Sequence, residues 1–337
     1  MSNETNHQND LLIIDGLQYV NWTRELFEAA RDGGVATIHV TIAYWENTRE
    51  TLANIGDWHR QFRRHSDLIM PVRNAADVAE ARATGRVGIV FGFQNCSPIE
   101  DDLRLVQVFH ELGVRIMQLS YNNQSLLATG CYESDDPGIT RFGKEVIKEM
   151  NRVGMVIDMS HSAERSTLEA IELSSRPIAI THANPSFFHD ALRNKSTTVL
   201  KALAESNGML GLSLYPFHLK DGSNCSLDSF CNMVAEVADL VGVEQLGIGS
   251  DLCQNWDYST LEWMRSGRWA ADADYGEGSA DNSGWPRQPD WFASSGDFMN
   301  IAKGLQAVGL DDKAIRGIMG QNWLDFFAQS FGPVSGE

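Results

Sequence analysis

Residues 153–161, VGMVIDMSH, and residues 177–182, PIAITH, are two short apolar runs that each end in a histidine. Both are rich in β-branched residues, which suits strands buried on both faces of a sheet. The stretch between them is polar and then apolar, as a helix would be. Two neighbouring parallel strands therefore deliver His161 and His182 to the same end of a sheet. A third run, LGIGS over 246–250, leads into Asp251. Two imidazoles and a carboxylate at strand exits are the groups that a divalent metal and a catalytic base require.

Working outward, eight runs read as strands: 11–16, 35–43, 87–93, 114–120, 154–160, 177–182, 208–215 and 246–251. Amphipathic segments separate them. In 141–153, Phe142, Val146, Met150 and Val153 recur at helical spacing and Gly154 stops the helix. In 197–208, Thr197 is placed to cap the first turn, Leu200 and Leu203 mark one face, and Gly208 ends it. The stretches 103–112 and 226–240 behave alike. Eight strands alternating with helices, with no break in composition, predict one (β/α)₈ TIM-type barrel across 1–337. A doubly wound open sheet is the alternative. No G-x-G-x-x-G follows the first strand and there is no Walker loop, so nucleotide binding has no support. In the barrel, catalytic groups gather at the C-terminal strand ends, where His161, His182 and Asp251 are expected.

One segment departs from the alternation. Residues 254–297 carry Trp256, Trp263, Trp269, Trp285 and Trp291 among Gly, Ser and Asp. This reads as a long loop over the barrel mouth, a lid or a subunit contact, and the tryptophans argue against disorder.

The chain has 27 basic and 45 acidic side chains, a formal charge of −18. That excess argues against nucleic acid and anionic membrane surfaces as partners. A small-molecule substrate is the expected partner. The first ten residues lack the apolar centre of a signal peptide, and no run nears the ~18 apolar residues that cross a bilayer, so a cytoplasmic location is expected. Five cysteines, an odd number, do not suggest a disulfide framework. Cys96 and Cys253 follow strand ends by a residue or two.

The segment GITRFGKEVIKEMNRVGMVIDMSHS resembles the stretch around the first metal histidine of the membrane (renal-type) dipeptidases, peptidase family M19 of the amidohydrolase-like barrels. The likeness continues through RPIAITHANP, Leu192-Arg193-Asn194, LGIGSDL and IMGQNW. Members hydrolyse dipeptides with two zinc ions bridged by a carboxylate. The resemblance implies that His161 and His182 are metal ligands, that Arg193 holds a substrate carboxylate, and that Asp251 handles the proton of the attacking water. It also makes a homodimer plausible.

The other half of that site is not matched. The family opens on a DGHND-like motif whose His and Asp hold the other zinc, whereas this chain has Asp15-Gly16-Leu17-Gln18-Tyr19. Gln94 stands at or beside the place of the bridging glutamate, and Leu119-Ser120-Tyr121 replaces the family's LTH. Leu has no donor atom, Tyr is a poor zinc ligand while it keeps its proton, and Gln is neutral. One ion is therefore expected, zinc or alternatively iron, on His161 and His182 with water and Gln94 or Asp251. Tyr121 would donate to a developing oxyanion. Around this pocket the sequence places Tyr19, Trp22, Tyr44, Trp45, Tyr121, Tyr215 and Trp256, a set that would suit an alkylammonium group as well as any barrel mouth. The leading reading is a metal-dependent hydrolase of a small carboxylate-bearing amide. A silent small-molecule-binding homologue and a lyase using Asp251 as base are the rivals.

Overall fold

The computed structural model describes residues 11–267 and 286–332. Its strands are β1 (Ile13–Val20), β2 (Val35–Ala43), β3 (Ile69–Val72), β4 (Val87–Phe93), β5 (Val114–Gln118), β6 (Val156–Asp158), β7 (Ala179–Ile180), β8 (Met209–Leu212), β9 (Leu246–Ile248) and β10 (Leu252–Gln254). All pairings between strands are parallel. The order β1-β2-β4-β5-β6-β7-β8-β9 closes on itself through Asp15 and Ile248, giving an eight-stranded barrel with helices between the strands. The open-sheet alternative is thereby excluded.

Two strands lie outside that count. β3 pairs with the first half of β4, Ile69 opposite Val87 through Val72 opposite Val90, while β5 takes the second half. β10 continues β9 after a break at 249–251 and pairs with the far end of β1, Gln18 opposite Leu252. β1 itself runs four residues beyond the expected stop at Gly16. Gln18 has no exposed surface and bonds to Asp15 and Ser295, and this polar residue interrupts the apolar run without interrupting the strand.

The core has three layers. Outward-facing residues such as Ile13, Ile38 and Ile89 pack under helices that include Phe27, Val146, Phe230 and Ile301. A second cluster takes Ile14 from β1, Val90 from β4, Ile116 from β5, Val156 from β6, Ala179 from β7 and Met209 from β8, and adds Trp323, Phe326 and Phe327 from the helix Asn322–Ser330. Trp323 is fully buried and donates from its indole N–H to the carbonyl of Ile248 at 2.9 Å. A Cβ at Gly247 would fall 2.3 Å from that indole and one at Gly16 2.6 Å, so bare backbone on β9 and β1 makes room for the plug. A third cluster, Tyr19, Tyr44, Tyr121, Leu261 and Met264, forms the mouth.

The helix expected at 141–153 is Arg141–Val153, ended by Gly154 at φ 80°. The cap before Thr197–Glu205 is Ser196 rather than Thr197, because the Ser196 hydroxyl accepts from the Val199 N–H. The expected loop at 254–297 is partly regular: Tyr258–Ser266 is a helix that buries Leu261 and Met264. Trp269 and Trp285 lie outside the described residues. Among the described residues no helix is long and apolar enough to cross a membrane.

Candidate active site

β6 and β7 lead into the two histidines, three and two residues past their ends, and a single carboxylate holds both exits. Asp158 Oδ1 accepts from the Ser160 N–H at 2.9 Å, the Ser160 hydroxyl at 2.5 Å and the Thr181 N–H at 3.1 Å. Its Oδ2 accepts from the Thr181 hydroxyl at 2.5 Å. Since that hydroxyl proton is spent on Asp158, Thr181 Oγ1 must accept from His182 Nδ1–H, 2.7 Å away. The Nε2 of His182 is then a bare lone pair. His161 is oriented in the same way. Its Nδ1 lies 2.7 Å from Asn122 Oδ1, so Nδ1 carries the proton and Nε2 the lone pair. Burial holds both imidazoles well below their ordinary range, with the Arg193 guanidinium the next cause, so both are neutral.

These lone pairs meet. His161 Nε2 is 3.1 Å from His182 Nε2 and 3.0 Å from Gln94 Oε1. The Gln94 amide N–H is occupied by Thr41 Oγ1 at 2.9 Å, so its oxygen faces the histidines. Three acceptors converge with no donor among themselves. Arg193 Nη2 supplies one at 2.9 Å from His161 Nε2, while its Nη1 donates to the carbonyl of Ser160. Arg193 is almost completely buried.

Asp251 arrives from the last strand. The 249–251 break between β9 and β10 sets Asp251 at φ 55°, a left-handed conformation that Asp tolerates. Its N–H still bonds to the carbonyl of Leu17 at 3.0 Å, which fixes it beside β1. A buried cavity of about 20 Å³ brings together Tyr19, Gln94, Tyr121, His161, Arg193, Tyr215 and Asp251. That volume is about one water. The Tyr121 ring stacks on His161 with centroids 4.1 Å apart. Tyr44 and Trp45 stand one layer back, edge-on to Tyr121 at 5.8 and 5.3 Å. Trp22 and Trp256 line a neighbouring cavity instead. Of the two cysteines near strand ends, Cys253 pairs with Tyr19 across β10 and β1, whereas Cys96 is buried in the outer core.

The sequence reading missed His218, Met264 and Arg265, which complete the lining. His218 ends the turn Pro216–His218 just beyond β8, and a histidine after a strand exit is the same signal that marked His161. Its Nδ1 is 2.8 Å from the Ser213 hydroxyl and its Nε2 is buried without a hydrogen-bond partner. Burial keeps it neutral as well. Arg265 comes from the segment taken as loop and gave no signal.

A profile of the membrane dipeptidase family, peptidase family M19, matches residues 18–260. The chain belongs to this family. The dipeptidase verJ of Clonostachys rogersoniana is 28% identical over 214 residues, 63% of this chain and 55% of that protein. The chain spans about half the length of the curated relatives it matches. An amidohydrolase from Pseudomonas aeruginosa superposes with a TM-score of 0.91 at 34% identity, over 97% of this chain and 98% of that one. The probable dipeptidase PvdM from the same organism shares the fold, with a TM-score of 0.79 at 15% identity over 97% of each chain.

Membership implies metal dependence, and the donor set of this family member can be tested against it. Two nitrogens each ~2.0–2.1 Å from a shared ion stand roughly 3.3 Å apart at a tetrahedral angle. The 3.1 Å between His161 and His182 fits one ion, and their outward Nδ1 bonds are the support that ligating histidines receive. The β1 side offers no such pair of donors. Leu17 is fully buried and offers no donor, and burial pushes the Tyr19 phenol well above its ordinary value, so it keeps its proton. Among the described residues no group of three or more His, Cys, Asp or Glu is placed to hold an ion.

Proposed function

We propose that this chain is a one-metal, dipeptidase-like hydrolase that cleaves an amide-type bond in a small carboxylate-bearing metabolite. The observation that carries the reading is the convergence of three lone pairs, with His182 Nε2 and Gln94 Oε1 at 3.1 and 3.0 Å from His161 Nε2. Acceptors crowded in a buried place repel unless a cation lies among them. A zinc ion bound there supplies Lewis acidity and lowers the pKa of a bound water.

The protein's own groups do the rest. Asp251 lines the cavity with His161 and takes the proton of the attacking water as general base. Tyr121, held by its stack on His161, donates to the oxygen that gains charge. Arg193 has a fork suited to a carboxylate. Its Nη2 now occupies the His161 lone pair, which cannot serve both a guanidinium and a metal ion. With an ion held by His161 and His182, that Arg193 donor would be available to a substrate carboxylate.

A second reading rests on that same contact. If Arg193 is the resident cation at His161, no metal binds and the chain is a small-molecule-binding homologue. Metal analysis of protein purified without added metal separates the two, followed by anomalous scattering at the zinc edge. One ion per chain at His161 and His182 is expected. No ion at all supports the second reading. Two full peaks about 3.5–4 Å apart overturn the one-metal site.

A further inference from the structure

Beside the catalytic cavity lies a larger one of about 380 Å³, a size typical of small-ligand sites. The two share Tyr19 and Met264 as walls. The catalytic cavity has room for little more than a water, so the bulk of any substrate must be held elsewhere. The larger cavity is walled by Tyr19, Trp22, Tyr44, Trp58, Trp256 and Trp263. Neighbouring rings meet near right angles. Tyr19 and Tyr44 are 6.5 Å apart at 79°, and Tyr44 and Trp263 are 6.2 Å apart at 77°. Trp256 is pinned by its indole N–H to the carbonyl of Tyr19 at 3.0 Å, and Trp45 by its own to Met264 at 3.0 Å. The box is therefore built from rings whose positions are set by the barrel and by the helix Tyr258–Ser266.

Among the described residues its charge has one sign: Glu46 and Asp57 line it and no basic side chain does. Asp57 is paired with Arg60. Among the described residues Glu46 is held by neutral donors: the N–H groups of Tyr44 and Trp45 at 2.7 and 3.0 Å, and the Asn54 amide at 3.0 Å. These donors orient its carboxylate without neutralising it. Aromatic faces with one uncompensated carboxylate select a weakly hydrated cation over a neutral group of equal shape.

We infer that this aromatic box, bounded by Tyr19, Tyr44, Trp256 and Trp263 with Glu46 at its wall, is a subsite for an alkylated ammonium group on the substrate. The inference deepens the hydrolase reading and rests on it for the word substrate. Binding to the box needs neither metal nor turnover.

The test uses the full chain and two probes, choline and its carbon isostere 3,3-dimethylbutan-1-ol, followed by tryptophan fluorescence and calorimetry. Choline is expected to bind roughly tenfold or more tightly than the alcohol. Glu46→Gln and Trp263→Leu are expected to reduce that preference several-fold and to leave the alcohol's weak binding unchanged. Because both probes are compared on the unmodified protein, a variant that folds poorly does not decide the question. Equal binding of the two probes overturns the subsite. So does a choline preference that survives both substitutions. Neither probe contains an amide, so failure here is distinct from failure of the hydrolase reading, which metal content and Asp251-dependent turnover decide.

Discussion

The two sides of the barrel mouth start from the same architecture and end in opposite chemistry. On the β6–β7 side, Asp158, Thr181, Asn122 and Gln94 are spent on orienting two neutral imidazoles. On the β1 side, Leu17 is packed away and Tyr19 faces aromatic neighbours, with Cys253 at its flank. Yet β1 keeps the Asp15 carboxylate, which fixes Ser250 and thereby the approach to Asp251. One side has the form of a ligand set. The other has kept its scaffold and exchanged its ligands for walls.

If that division is correct, the largest effect belongs to the group both sides converge on. Asp251→Asn is expected to lower turnover of any hydrolysed substrate by ~10²–10⁴-fold, the range for losing a positioned general base. Asn tolerates the left-handed backbone at φ 55°, so the thermal unfolding midpoint should barely move. Turnover indifferent to the change would remove the proposed base.

The next effect tests whether the β1 side is a wall. Leu17→Ala removes a fully buried side chain and is expected to cost about 2–5 kcal/mol in urea unfolding, with metal content unchanged. A loss of bound metal at unchanged stability would instead put Leu17 beside an ion and break the contrast.

Much of this was legible in the chain. The eight barrel strands are buried on both faces, so they read as mainly apolar runs, and the histidines after two of them announced the mouth. β3 was not legible because IMPV is four residues long and includes an exposed proline. The extension of β1 was hidden by Gln18, whose buried side chain bonds to Asp15 at 2.8 Å. His218 was within reach of the strand-exit argument, but the turn Pro216–His218 set it three residues beyond Tyr215, where the run seemed finished. The lone-pair convergence could not be read at all, since it depends on which proton each of Thr181, Asn122 and Gln94 has already committed. The aromatic residues were visible as a set, yet their sorting into two cavities needs the helix Tyr258–Ser266, which polar composition disguised as loop.

The smallest effect concerns the scaffold that the β1 side retained. Asp15 is fully buried, and burial pushes its carboxyl up to about 6 from 3.8 although Ser250, Gln18 and Leu17 donate to it. The folded state therefore holds this proton more tightly than the unfolded chain. Its contribution to stability is complete below pH 3.8 and is lost as pH rises through about 6. At 1.36 kcal/mol per unit the loss is roughly 3 kcal/mol. His39, whose Nδ1 lies 2.6 Å from the carbonyl of Gly16, acts in the opposite sense. Burial pushes it down to about 4 from 6.5, so its contribution is complete above pH 6.5 and is lost as pH falls through about 4. Between these limits the two groups oppose each other and flatten the profile of the wild type. Asp15→Asn removes only the first. Whatever fixed cost the lost hydrogen bonds impose, the stability of the variant relative to wild type should rise by up to about 3 kcal/mol from pH 4 to pH 6.5. Urea unfolding of both proteins across that range measures the difference, in which every other titrating group cancels. A difference that stays constant with pH would mean that Asp15 titrates alike folded and unfolded, and that the β1 scaffold does not hold a proton against its burial.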